Sequence, residues 1–212
     1  MTSRRTVLKQ TAILTSLTPL FALAQQHGPI QHAPAGIQNS GPDPFTLLPK
    51  EPLQPGPSGI DFRVIVRNAQ TQGQFSCVEA ALAPMQMGPA PHYHDELDEL
   101  MFVTEGTVSV LIDGKLHDVS AGGWNLRPRK LEHTFFNRTD KPARCIDMFF
   151  HQNLEDYLEE LIHKIYPEMR QKGLNPFSPG IRERIEVLDK QFGITNFFVK
   201  RAEVAKTYGL KM

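Results

Sequence analysis

Between residues 61 and 150 the apolar positions come in short runs broken by turn residues. Asp61–Asn68, Gln74–Ala83, Leu100–Thr104, Thr107–Ile112, Gly123–Arg127, His133–Asn137 and Arg144–Phe150 are each rich in β-branched or aromatic side chains, which predicts strands. Gln72-Gly73-Gln74 and Gly122-Gly123 mark turns between them. Asp113-Gly114 predicts a tight hairpin, because both central residues of that turn need positive φ. Many short strands with hairpin punctuation point to an all-β antiparallel sandwich or barrel, not to a parallel sheet with crossover helices.

After Phe150 the period changes. Leu154, Leu158, Leu161, Ile162, Ile165 and Met169 recur at three- and four-residue steps, which predicts an amphipathic helix capped by Asn153 and stopped at Gly173. A second helix is expected from Ser178-Pro179 to Gly193, and a third from Arg201 to Thr207, ending at Gly209. None of the three carries a catalytic pattern, so this C-terminal helical extension reads as a packing lid or an oligomer contact.

Upstream the texture is different again. Residues 25–59 hold eight prolines and five glycines and bury too little apolar surface to offset the entropy of ordering them. They read as a linker or extended arm, with His27 and His32 as solvated histidines. The expected organisation is therefore 1–24 as a targeting segment, 25–59 as the arm, 60–150 as the barrel and 151–212 as the helices.

The targeting assignment rests on Ser3-Arg4-Arg5-Thr6-Val7-Leu8-Lys9, which resembles the twin-arginine export motif at every position. A short apolar run, Thr11 to Ala24, follows and ends in Ala22-Leu23-Ala24, the small residues of a cleavage site. As a helix these 14 residues would span about 21 Å, short of the roughly 30 Å hydrocarbon layer. A cleaved signal is expected rather than a stable membrane span. The expected partner is the twin-arginine export machinery, and the expected location is periplasmic or secreted.

Charge excludes other classes. The chain has 23 basic and 23 acidic residues, so it lacks the basic face that nucleic acid would require. Its two cysteines, Cys77 and Cys145, lie in apolar strand-like runs without zinc-finger spacing. An oxidising compartment would permit a disulfide between them, while buried free thiols are the simpler reading.

The segment that carries chemistry is Pro91-His92-Tyr93-His94-Asp95-Glu96-Leu97-Asp98-Glu99. Histidines at i and i+2 of an extended segment point to one side. Glu99 shares a strand face with Met101 and Val103, where a carboxylate is costly unless something pairs with it. His133 stands at the head of a later strand, on the face of Phe135 and Asn137. Three imidazoles and a carboxylate suit Mn, Fe, Co, Ni, Cu or Zn, and suit calcium poorly. Four protein ligands also leave one or two coordination positions open, the mark of a metal that does chemistry.

Two patterns then resemble the motifs of the cupin superfamily. The first reads His92-x-His94-x4-Glu99-x6-Gly106, with Gly88 standing four residues before His92 where the family has six. The second reads Gly122-x5-Pro128-x-Lys130-x2-His133-x3-Asn137, with Lys130 in the place of a glycine. The resemblance implies a double-stranded β-helix, a jelly-roll barrel over about residues 60–150, with one divalent metal held inside by His92, His94, Glu99 and His133. A small single barrel with a helical tail looks most like the quercetin-dioxygenase-type cupins. That implies a dioxygenase acting on a small aromatic or enolic substrate, with Glu99 as both ligand and general base and Met101, Phe135 and Phe149 as an apolar wall. An isomerase, or a non-catalytic binder of a small molecule or metal, stands as the alternative.

Several neighbouring groups stay open. Asp95, Glu96 and Asp98 could orient the imidazoles or simply be solvated. Arg127, Arg129 and Lys130 could clamp an anion or form a solvated loop. His117 is expected just after a strand at the surface, and His151 and His163 at the surface or on a helix face. Twin-arginine transport carries folded proteins, so loading in the cytoplasm would favour manganese or iron over copper and zinc. Barrel edge and helical tail both offer surfaces for a homodimer.

Overall fold

The computed structural model describes residues 41–212. The export motif, the apolar run behind it, and His27 and His32 lie outside the described residues. Residues 42–56 take neither helix nor strand, and Phe45, Leu47 and Leu48 stand exposed along them.

Eleven strands follow among the described residues. They are β1 (Ile60–Val66), β2 (Phe75–Leu82), β3 (Gln86–Met87), β4 (His92–His94), β5 (Glu99–Glu105), β6 (Thr107–Ile112), β7 (Lys115–Ser120), β8 (Trp124–Arg127), β9 (His133–Asn137), β10 (Ala143–Phe150) and, far downstream, β11 (Ile194–Asn196). One sheet has the order β1-β2-β10-β5-β8, the other β11-β4-β9-β6-β7 with β3 also against β9, and every pairing between these strands is antiparallel. Val78, Ala80, Leu82, Met101, Val103 and Cys145 from the first sheet share one core with Val108, Val110 and Phe135 from the second. This is the expected antiparallel jelly-roll barrel.

Local sequence explains the register. In β10 buried and half-buried residues alternate without exception, placing Ala143, Cys145, Asp147 and Phe149 on the inner face. Asp113 and Gly114 have φ of 47° and 74° and close the β6–β7 hairpin as expected. Strand β7 leaves no periodic trace in the sequence for a physical reason. Its two apolar residues, Leu116 and Val119, point to opposite faces, Val119 inward and Leu116 toward a small outer cluster, so no alternation shows. His117 accordingly lies within a strand and not after one.

The helices are α1 (Leu154–Glu160), α2 (Tyr166–Lys172), α3 (Ile181–Phe192) and α4 (Phe198–Tyr208). The first predicted helix is interrupted by a wider π turn at Leu161–Ile165. Pro167 follows at once; it has no N–H to bond back and its ring crowds the preceding turn. The second begins at Ile181, three residues after Ser178, because the Ser178 hydroxyl accepts from the Asn175 amide (3.0 Å) and does not cap the helix. The third begins three residues earlier than expected, at Phe198. Gly173, Gly193 and Gly209 end their helices at φ of 63°, 61° and 66°. Leu154, Tyr157, Leu161, Ile165, Ile181 and Ile185 join the barrel core, while α4 lies over Met87 and Phe136 on the outside of the second sheet.

The cysteines cannot bridge. Cys145 faces the barrel interior, whereas Cys77, opposite Met148, lies on the other face of the same sheet. Both are buried free thiols, and burial pushes Cys77 up to about 12 and Cys145 higher still.

Gly88, displaced relative to the family pattern, has its own reason to be glycine. A Cβ there would lie 2.1 Å from the carbonyl oxygen of Phe135 on β9. Gly88→Ala should therefore lower stability by about 1–3 kcal/mol, read by thermal or urea melting. An unchanged midpoint would mean the close approach is not required.

Candidate metal centre

The two sheets bring the four sequence-identified side chains together. His92 and His94 sit on β4 either side of Tyr93, His133 heads β9 directly opposite His92, and Glu99 heads β5 in the other sheet. One ligand atom from each lies within 4.8 Å of all the others, and all four residues are buried. The ring centroids are 4.5 Å apart for His92 and His133, 5.1 Å for His92 and His94, and 5.6 Å for His94 and His133.

Backbone carbonyls set two of the rings. His92 Nδ1 lies 2.8 Å from the Ala90 oxygen and His133 Nδ1 2.9 Å from the Leu131 oxygen. A carbonyl can only accept, so Nδ1 carries the proton in both and Nε2 keeps its lone pair. His94 Nε2 stands 2.8 Å from Glu99 Oε1 and His133 Nε2 3.3 Å from Oε2, yet both nitrogens lack an aligned hydrogen bond. Buried lone pairs with no donor, converging beside a carboxylate, are what a cation would satisfy. The cluster suits a divalent transition metal.

The acids beside the histidines do something else. Asp98 accepts from the Arg129 amide and from its guanidinium at 2.9, 3.1 and 2.7 Å, which pushes the Asp98 carboxyl down to about 2. Glu96 lies 3.5 Å from the same arginine, and the backbone amide of Asp95 donates to the Gly193 carbonyl. His92 and His133 are thus oriented by carbonyls, not by these carboxylates, and His94 Nδ1 has no hydrogen-bond partner. Lys130 has φ of 64° where the family pattern has glycine, and its amide donates to the His94 carbonyl at 2.7 Å. The turn keeps its left-handed shape despite the side chain, and ties the loop before His133 to the strand carrying His94. His163 stacks on Phe62 and bonds Asp61 on the helix face, and His151 is exposed.

Two features differ from the sequence reading. The first is Arg127, expected with Arg129 and Lys130 in a solvated loop or anion clamp; it ends strand β8 and has no solvent exposure. On β8 the apolar Trp124 and Leu126 face outward and Arg127 faces in, directly across from Glu99. Its Nη2 stands 2.9 Å from Glu99 Oε2 and bonds Asp147 Oδ1 from β10. Burial would push Glu99 up, but Arg127 and then His94 outweigh it, holding the carboxyl well below 4.5. Burial likewise opposes charge on Arg127 and is outweighed by Asp147 and Glu99. Glu99's need for a partner on its own face was the signal for a buried cation here. The second is β11, which adds a strand to the free edge of β4, with Ile194 opposite His94 and Asn196 opposite His92. The helical extension thereby holds the strand that carries two ligands.

Barrel topology and donor set together define a jelly-roll barrel with a three-histidine, one-glutamate cluster. Residues 78–149, from β2 to the end of β10, match the family model described as Cupin_2, the cupin domain. Among solved structures the chain is similar to KdgF from a Halomonas species, with 19% identity and a TM-score of 0.42 over 48% of this chain and 86% of that one. It is similar to a sugar phosphate isomerase of the cupin superfamily from Silicibacter pomeroyi, with 29% identity and a TM-score of 0.39 over 45% of this chain and 61% of that one. The polyketide cyclase RemF from Streptomyces resistomycificus shows 22% identity and a TM-score of 0.40 over 47% of this chain and 70% of that one. No curated protein matches the chain. Among the described residues no helix is long and apolar enough to cross a membrane.

The site makes stability depend on pH in a defined direction. Burial, with His133 and His94 beside it, lowers the His92 pKa well below its ordinary 6.5, against smaller opposing pulls from Glu99 and Ala90. Between that folded value and 6.5 the unfolded chain takes up a proton that the folded chain refuses. Stability from this group is therefore full above pH 6.5 and lost as pH falls. Glu99, also depressed, adds a loss below its ordinary 4.5, which Asp147, raised mainly by burial, partly opposes. Metal-free protein should lose about 1.4 kcal/mol per pH unit as acid is added below neutrality, read by denaturant melts. A flat profile between neutrality and the carboxylate range would show that His92 is not buried neutral.

Proposed function

We propose that this protein is a metal-dependent oxidoreductase, a dioxygenase acting on a small aromatic or enolic substrate. The observation that carries the reading is the buried three-histidine, one-glutamate donor set, which leaves coordination positions free on a six-coordinate ion. The bound metal would acidify a coordinated substrate hydroxyl and bring the substrate beside oxygen. His92 and His133 are held in one tautomer by Ala90 and Leu131, so their lone pairs are ready without rearrangement. Met101, Phe135 and Phe149, all buried, form the apolar surroundings that exclude water from the reacting centre. Glu99 is the carboxylate nearest the imidazoles, so it is the group that would accept the substrate's proton. Because Arg127 keeps it ionised, it is a weak base, and the transfer depends on the hydroxyl being acidified first.

The isomerase and the non-catalytic binder share this site but need no oxygen. Export through the twin-arginine route, and a periplasmic or secreted location, belong to the same proposal and rest on residues 3–9. Loading before export would favour manganese or iron.

Oxygen uptake by the metal-loaded protein, screened against flavonols, catechols and β-diketones, tests the reading. Turnover that disappears in His94→Ala is expected. Tight binding of such compounds with no oxygen consumed by any of the metals named above would replace the enzyme with a binding protein.

A further inference from the structure

We propose that Arg127, braced by Asp147, is a positioning residue that reserves one oxygen of Glu99 and keeps this carboxylate a one-oxygen ligand. The inference rests on the metal reading above and adds to it how many positions the centre leaves open.

The geometry is asymmetric across the carboxylate. Oε1 lies on the side of His94, 2.8 Å from its Nε2. Oε2 faces Arg127 Nη2 at 2.9 Å, and the same nitrogen bonds Asp147. An oxygen ion-paired with a guanidinium has a full positive charge beside it, which repels a second cation. His133 Nε2 is only 3.3 Å from Oε2, so each carboxylate oxygen has an imidazole near it, and Arg127 stands beside one of the two. Arg127 is what distinguishes them.

The arginine is also fixed in place. It lies in register with Glu99 on the neighbouring strand, has no solvent exposure, and packs its guanidinium over the Phe135 ring at 5.4 Å. Asp147, on the inner face of β10, holds it from the other side. In the second motif Arg127 falls among the unspecified residues between Gly122 and Pro128, so the pattern does not announce it. The consequence is countable. Three imidazoles and one oxygen leave two positions on an octahedral ion, enough for a substrate and a co-substrate, whereas a two-oxygen Glu99 leaves one.

The test uses the full chain loaded with Mn(II) and pulsed electron paramagnetic resonance in D2O, which counts water ligands without turnover. Wild type is compared with the double variant Arg127→Met/Asp147→Asn, which removes both charges so that Asp147 is not left as a buried carboxylate without its arginine. Expected are two waters in wild type and about a twofold lower deuterium signal per manganese in the double variant. Arg127→Lys, which keeps a charged donor, should hold the wild-type count. Equal counts in wild type and double variant at equal manganese occupancy would overturn the proposal. The crystal structure of Mn-loaded wild type tests it without any variant: one Glu99 oxygen at ligand distance supports it, and two overturn it. A wild-type protein that takes up no manganese or other divalent ion is a different result, and removes the metal reading itself.

Discussion

The structure depends on burying an ionised glutamate among three imidazoles. Glu99, at the head of β5, is withdrawn from water in a barrel whose inner surface includes Met101, Val103, Val108, Val110 and Phe135. Such a charge survives only if it is compensated, and two compensations converge on it. Arg127 supplies a permanent cation from the same sheet, and the imidazole lone pairs from the opposite sheet complete a seat for a second, exchangeable one.

Much of this was legible in the sequence because ligand spacing and strand period coincide. His92 and His94 share a side because strand side chains alternate, and Glu99 and His133 stand out as ionisable groups on apolar faces. The antiparallel barrel followed from short β-rich runs and the Asp113-Gly114 hairpin, and the glycine stops placed the helix ends. The helix starts were less legible, because Ser178 is used in a turn before the helix and Pro167 opens a π turn inside another.

What stayed hidden was decided by tertiary pairing. Strand β8 turns its apolar residues outward and its arginine inward, the reverse of the usual pattern, and only the partner strand carrying Glu99 makes that favourable. Strand β7 is apolar on both faces and β11 has three residues, so neither leaves a periodic trace. Yet β11 and the turn at Lys130 are what hold β4 in place from the helical extension and from the loop before His133. A tail that looked like a lid is part of the scaffold of the centre.

The most direct test of the central claim is elemental analysis of the folded protein beside its His94→Ala variant. The geometry predicts one divalent transition-metal ion per chain in the wild type, and little or none in a variant that still melts as a folded barrel. Equal metal content in the two proteins, or a wild type that holds no ion at any loading, would contradict it.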